Sequence, residues 1–165
     1  DNLTDRFGVP LAFSTGLFGA FLSLTFVLWF NEERTLSIHS ITTRKRELFY
    51  WVAILFTFSL GTAAGDWAAE GLNLGYFNAA TLFGALILLT ALAFYLFRAN
   101  SVACFWIAYI LTRPFGASCG DLLSQSPVNG GVGLGTTGTS ILFLLTIISL
   151  VGYLTFRNSM EIQEK

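Results

Sequence analysis

The chain has 165 residues, 54% of them hydrophobic and 12% charged, and a formal net charge of −1. Soluble domains carry about 25% charged residues, so this composition excludes an ordinary water-exposed globule and points to the bilayer. The near-neutral balance gives no sign of a nucleic-acid partner, which needs a clustered basic face.

Five apolar runs approach the ~20 residues that cross a ~30 Å hydrocarbon core. Residues 9–30 form the first, without a charge. Residues 48–65 form the second, closed by Asp66, and residues 74–97 the third, closed by Arg98. Residues 101–120 form the fourth and carry Arg113-Pro114 inside the run; residues 133–156 form the fifth, closed by Arg157. The runs are continuous rather than alternating, so helices are expected and barrel strands are not. The expected fold is all-α: a polytopic bundle of membrane-spanning helices.

The connections differ in charge. Residues 31–47, NEERTLSIHSITTRKRE, are the one long polar segment and hold Arg34, Arg44, Lys45 and Arg46. The turns at residues 67–73 and 122–132 hold no Lys or Arg. The positive-inside rule then puts the 31–47 loop, the Arg98 turn and the C-terminus in the cytoplasm, with the N-terminus of this chain outside. The basic cluster Arg44-Lys45-Arg46 sets topology and meets anionic headgroups of the lipid bilayer. His39, the single histidine, reads as an exposed loop residue. Cys104 and Cys119 fall in one run; about 22 Å apart on a straight helix, they are beyond mutual disulfide reach. The chain begins with Asp and its single Met is Met160, which fits a processed chain or a fragment.

Self-comparison reveals a repeat. WVAILFTFSLGTAAGD, residues 51–66, aligns without a gap on WIAYILTRPFGASCGD, residues 106–121. Trp51 matches Trp106, Gly61 matches Gly116, Gly65 matches Gly120 and Asp66 matches Asp121. A third, partial copy sets Asp1 against Asp66 and residues 17–20 against 82–85. The chain is therefore read as one membrane domain in three parts. Residues 1–47 are the second helix of a truncated repeat plus a cytoplasmic loop. Residues 48–100 are a repeat, and residues 101–165 are a repeat with a short tail. Repeats of one orientation are related by an axis near the membrane normal.

The stretches EERTLSIHSITTRKRELFYW, FSLGTAAGD and AYILTRPFGASCGD resemble a family of bacterial membrane proteins of unknown function, built from four tandem two-helix repeats. The resemblance covers essentially the whole chain. It implies eight spanning helices, of which this chain holds the C-terminal five, and a place in the bacterial inner membrane. It implies partners too: the preceding repeats of the same polypeptide or other membrane subunits, with oligomers open. It brings no activity.

At helical spacing Trp106, Tyr109, Arg113, Gly116 and Gly120 form one stripe, matched by Trp51, Ile54, Phe58, Gly61 and Gly65. The glycine pairs read as close helix packing. Arg113 stands where the other repeat has Phe58, ~18 Å into the core. A charge at that depth costs ~2.5–3.5 kcal/mol on insertion scales and needs an anion or carbonyl partner, for which Asp121, Asp66 and Asp1 are candidates. Pro114 removes the donor to the Ile110 carbonyl and kinks the helix. Two readings stand: a binding site at the repeat interface around Arg113, Pro114, Asp66 and Asp121, or a buried clamp between repeats. Asn78, Thr81, Thr136, Thr137, Thr139 and Ser140 are polar groups for helix–helix bonding, and residues 129–135 are a flexible glycine-rich entry to the last helix. No nucleophile–base set or metal-ligand cluster is seen, so no enzyme, cofactor or metal is expected. The expected function is a small-solute or ion carrier or channel; the alternative is a structural or accessory subunit.

Overall fold

The computed structural model describes residues 8–38 and 41–163, the last six of these by backbone alone. Asp1 and His39 lie outside the described residues. Within them the chain forms five long helices and no strand: α1 Leu11–Glu33, α2 Arg44–Asp66, α3 Gly75–Phe97, α4 Ser101–Ser124 and α5 Gly135–Gln163. Each is long and apolar enough to cross a bilayer. The protein is an all-α, multi-pass membrane protein.

The helix ends follow local chemistry. The Thr43 hydroxyl caps α2 by accepting the Arg46 amide at 3.3 Å. Asn100 caps α4, its Oδ1 accepting the amides of Val102 and Ala103 at 3.0 and 3.1 Å. α1 and α3 end on arginines in the left-handed conformation, Arg34 with φ 56° and Arg98 with φ 50°. Each closes its helix by a backbone bond back to the last turn, Arg34 to Phe30 and Arg98 to Ala93.

The chain divides by its contacts into two units, residues 1–119 and 120–165. In the first unit α1 packs along α2, and its core gathers at one end around Leu22, Trp29, Ala53 and Trp106. Trp106 is the hub. Its ring meets Phe26 edge-on at 4.9 Å, Trp29 at 5.8 Å and Tyr109 at 5.9 Å. Its indole N–H donates to the Leu36 carbonyl at 2.9 Å, which ties the segment after α1 to the second turn of α4. A buried indole needs such a partner. Two ion pairs tie the end of α1 to the start of α2, Lys45 to Glu32 and Arg46 to Glu33.

The 67–73 stretch, expected as a turn, instead continues α2 without a break as a π-helical turn, Trp67–Gly71. The Leu72 amide closes it on the Trp67 carbonyl at 2.8 Å. Trp67 folds over Gly71 so closely that any Cβ there would collide with the indole. Ala68 and Ala69 are buried, and the turn packs on α1. Small side chains and a wide turn let the helix end lie against its neighbour.

In the second unit, the glycine-rich stretch expected to be a flexible entry is a bonded cap on the end of α4. The amides of Val132, Gly133 and Leu134 donate to the carbonyls of Leu122, Gln125 and Leu123 at 2.7, 2.8 and 3.0 Å. Those carbonyls lie at or just past the helix terminus, where partners must come from outside the helix. Gly131 is required by space, since a Cβ would overlap the Gln125 carbonyl.

The hub role of Trp106 predicts an asymmetry between repeat equivalents. Trp106 is 4% exposed and Trp51 58%. Trp106→Ala is expected to lower unfolding free energy by about 3–5 kcal/mol, and Trp51→Ala to stay within about 0.5 kcal/mol, as for exposed positions. Thermal unfolding of the detergent-solubilised protein measures both.

Candidate functional site

The site is built where α2 crosses α4. α4 runs through Pro114 without interruption, although Pro114 cannot donate to the Ile110 carbonyl. Pro114 is buried against α2. Gly61 and Gly65 of α2 are buried too, and they face Arg113, Pro114 and Ala117. A Cβ on Gly61 would overlap the Arg113 Cβ; one on Gly65 would lie 3.3 Å from the Ala117 Cβ. The glycines give α4 a groove in the α2 surface, and its tenants are the methylenes and ring of Arg113-Pro114.

The face that α4 buries is rotated from the expected stripe. Trp106, Pro114 and Ser118 are the buried residues of the helix. Gly116 is exposed, with nothing within 4 Å of a Cβ added there. Gly120, in the second unit, is likewise open. Trp51, the repeat partner of Trp106, is exposed, and its indole N–H points to Glu47 at 3.4 Å.

Arg113 is half-buried. Its Nη2 donates to the Tyr109 hydroxyl at 2.7 Å, one turn back on the same helix. Its guanidinium carbon sits 5.1 Å from the Tyr109 ring centre and 5.8 Å from that of Phe58 on α2. Two aromatic faces are weak counter-ions, worth about 0.5–1 kcal/mol each when exposed and ~2 when desolvated. The expected carboxylate is not what the guanidinium meets among the described residues. Asp66 and Asp121 are half-buried and engaged in interactions of their own. The Nε–H of Arg113 is buried and has no hydrogen-bond partner, and the Ser118 hydroxyl further along α4 is in the same position. The functional surplus here is therefore donor capacity, with two N–H/O–H groups lacking acceptors.

The basic cluster is divided by its environment. Lys45 and Arg46 are paired with Glu32 and Glu33, while Arg44 is exposed at the first residue of α2. No group of three or more His, Cys, Asp or Glu is placed to hold a metal among the described residues. Sequence reasoning missed Tyr109 and Phe58 as the guanidinium's neighbours. Both were visible as positions, Tyr109 one helical turn before Arg113 and Phe58 as its repeat equivalent.

The comparison with known families bears on this arrangement. The model of a family described as Repeat of Unknown Function (DUF347) matches residues 49–100 and again residues 104–159. The chain belongs to this DUF347 repeat family. No curated protein and no solved structure matches it. The two DUF347 copies correspond to the pairs α2–α3 and α4–α5, so each repeat is a helix pair. The Gly61–Arg113 crossing thus joins the first helices of two successive DUF347 repeats.

Equivalent glycines should then respond unequally. Gly61→Ala forces the helices apart and is expected to cost about 1–3 kcal/mol, the range for overpacking. Gly116→Ala meets open space and should be neutral or slightly stabilising, since Ala is the better helix former by ~1 kcal/mol. Paired thermal unfolding curves in one detergent test this.

Proposed function

We propose that the protein is a small-solute or ion carrier or channel of the bacterial inner membrane, with its site at the repeat crossing around Arg113, Pro114 and Asp66. The observation that carries this reading is Arg113 itself. A membrane-embedded guanidinium that keeps a buried donor unpartnered, beside aromatic rings in place of a carboxylate, is suited to receive an anionic group. Arg113 binds that group, with the Tyr109 hydroxyl beside it. The close glycine packing at Gly61 and Gly65 supports the reading by bringing the α2 backbone against Arg113, so that the guanidinium lies at the contact of two successive repeats. The topology is N-terminus outside and C-terminus cytoplasmic.

A second reading, a structural or accessory subunit, is favoured by a different observation. In the apolar window of α5 only 6% of residues are buried, and in that of α3 11%. Such faces accept lipid, further repeats of the polypeptide, other subunits or a second copy.

Flux separates the readings. Proteoliposomes receive gradients of chloride, inorganic phosphate and acetate in turn, beside protein-free vesicles. The carrier reading expects flux above leak for at least one anion, loss of it in Arg113→Leu, and partial retention in Arg113→Lys. Flux at the leak level for all three, or undiminished flux in Arg113→Leu, leaves the subunit reading. The topology has its own test, in a protein with Cys104 and Cys119 replaced by Ser. A single Cys at Val128, which is 94% exposed, should react with a membrane-impermeant maleimide on intact cells, and one at Ser37 only after lysis.

A further inference from the structure

A second feature of the first unit lies away from Arg113. Between the end of α1 and the start of α4 runs an open groove of about 530 Å³. Its two ends differ in chemistry. One end is formed by Arg34, Thr35 and Asn100; the walls beyond are apolar, with Phe26, Trp106 and Ile110 among them.

The polar end offers donors. The Asn100 Oδ1 is occupied in capping α4, which leaves its amide N–H groups. The Thr35 oxygen accepts the Ser37 amide, which leaves its O–H. Arg34 is exposed, and the neighbouring Glu32 and Glu33 are taken up by Lys45 and Arg46. Among the described residues no carboxylate lines the groove. A guanidinium, an amide and a hydroxyl at the mouth of an apolar channel match a phosphate joined to a hydrocarbon chain.

We propose that this groove is a binding site for a membrane phospholipid with a net negative headgroup, its phosphate on Arg34 and one acyl chain along Phe26, Trp106 and Ile110. A free phosphate would leave the apolar walls unused. A zwitterionic headgroup would bring an ammonium next to Arg34. The lipid completes the hub of the fold, because Trp106 forms the groove wall and at the same time holds the Leu36 carbonyl. The site is independent of Arg113 and of any transport activity.

The test uses tryptophan quenching by bromine on lipid chains. The protein carries Trp51→Phe and Trp67→Phe, so that emission comes from Trp29 and Trp106, 1% and 4% exposed. It is placed in phosphatidylcholine nanodiscs doped with brominated-chain phosphatidylglycerol or, in the second arm, brominated-chain phosphatidylcholine. Phosphatidylglycerol is expected to quench with roughly fivefold higher apparent affinity, the preference that one basic residue near an anionic surface confers. Arg34→Asn, which accepts the left-handed backbone of that position, should bring the two lipids to equality, and Arg34→Lys should keep the preference. Ala103→Phe, which fills the groove mouth, should reduce quenching by both. Equal quenching by the two lipids in the Arg34 protein, or a preference that survives Arg34→Asn, overturns the proposal. Quenching by neither lipid also overturns it, since the groove is then filled by protein.

Discussion

The structure depends on how closely α2 approaches α4. At Gly61 the α2 backbone rests on the Cβ of Arg113, with no room for a methyl group between them. Membrane helices gain little from expelling apolar surface, because the lipid around them is as apolar as they are. Their association rests on van der Waals contact and polar bonds, and both improve as backbones come together. The close approach also dictates the course of Arg113. Its methylenes fill the α2 groove, so its head group is carried sideways to the Tyr109 hydroxyl and the Phe58 ring. A guanidinium at this depth without a carboxylate is tolerated because the tight crossing holds two aromatic faces in place against it.

Phe58 and Arg113 occupy the same position in the two DUF347 repeats. Their contact across the crossing follows from pseudo-symmetry. Two helices of one pattern that cross near equivalent positions bring like positions face to face. Identity at that position would serve poorly: two arginines would repel, and two phenylalanines would leave nothing polar at the crossing. A departure from the repeat, cation against ring, turns a clash of like residues into an attraction. The tryptophans show the reverse. Trp51 and Trp106 are identical by sequence, yet only Trp106 finds a carbonyl and a nest of rings. The repeat preserves residues, while neighbours decide what each residue does.

Much of this was legible in the sequence, for reasons that differ by element. The number and kind of helices follow from run length and the lack of alternation, which bilayer thickness turns into a strong constraint. The repeat register was legible because Trp, Gly and Asp recur at fixed spacing. The π turn after Asp66 was not, since its cause is the seating of Trp67 on Gly71 and of Ala68 and Ala69 on α1. The buried face of α4 keeps Trp106 of the expected stripe but departs from it beyond, with Pro114 and Ser118 buried in place of Arg113 and Gly116. A stripe drawn through the conspicuous residues of α4 ignores the partner helix, where Gly61 and Gly65 open the space that the Pro114 ring fills. The bonded cap on α4 was hidden behind composition: seven residues holding four glycines suggest freedom, and the backbone bonds remove it.

Charge at the α1–α2 end shows a similar gap between counting and placement. During insertion, lysines and arginines govern orientation and acidic residues matter little. Arg44, Lys45 and Arg46 then act as one block. In the folded protein the balance changes, because Glu32 and Glu33 reach across the loop to Lys45 and Arg46. These pairs are exposed or only partly buried, so they add little stability, but they redirect the field. Positive charge toward the headgroups passes from the sequence cluster to Arg34, Arg44 and Arg98, three residues at helix ends on separate elements. Two of the three occupy left-handed caps, a conformation that puts an arginine at the helix terminus whatever its neighbours are. Lys45 and Arg46 of the cluster are thus taken up in ion pairs, and Arg34, Arg44 and Arg98 stand exposed at the ends of three separate helices.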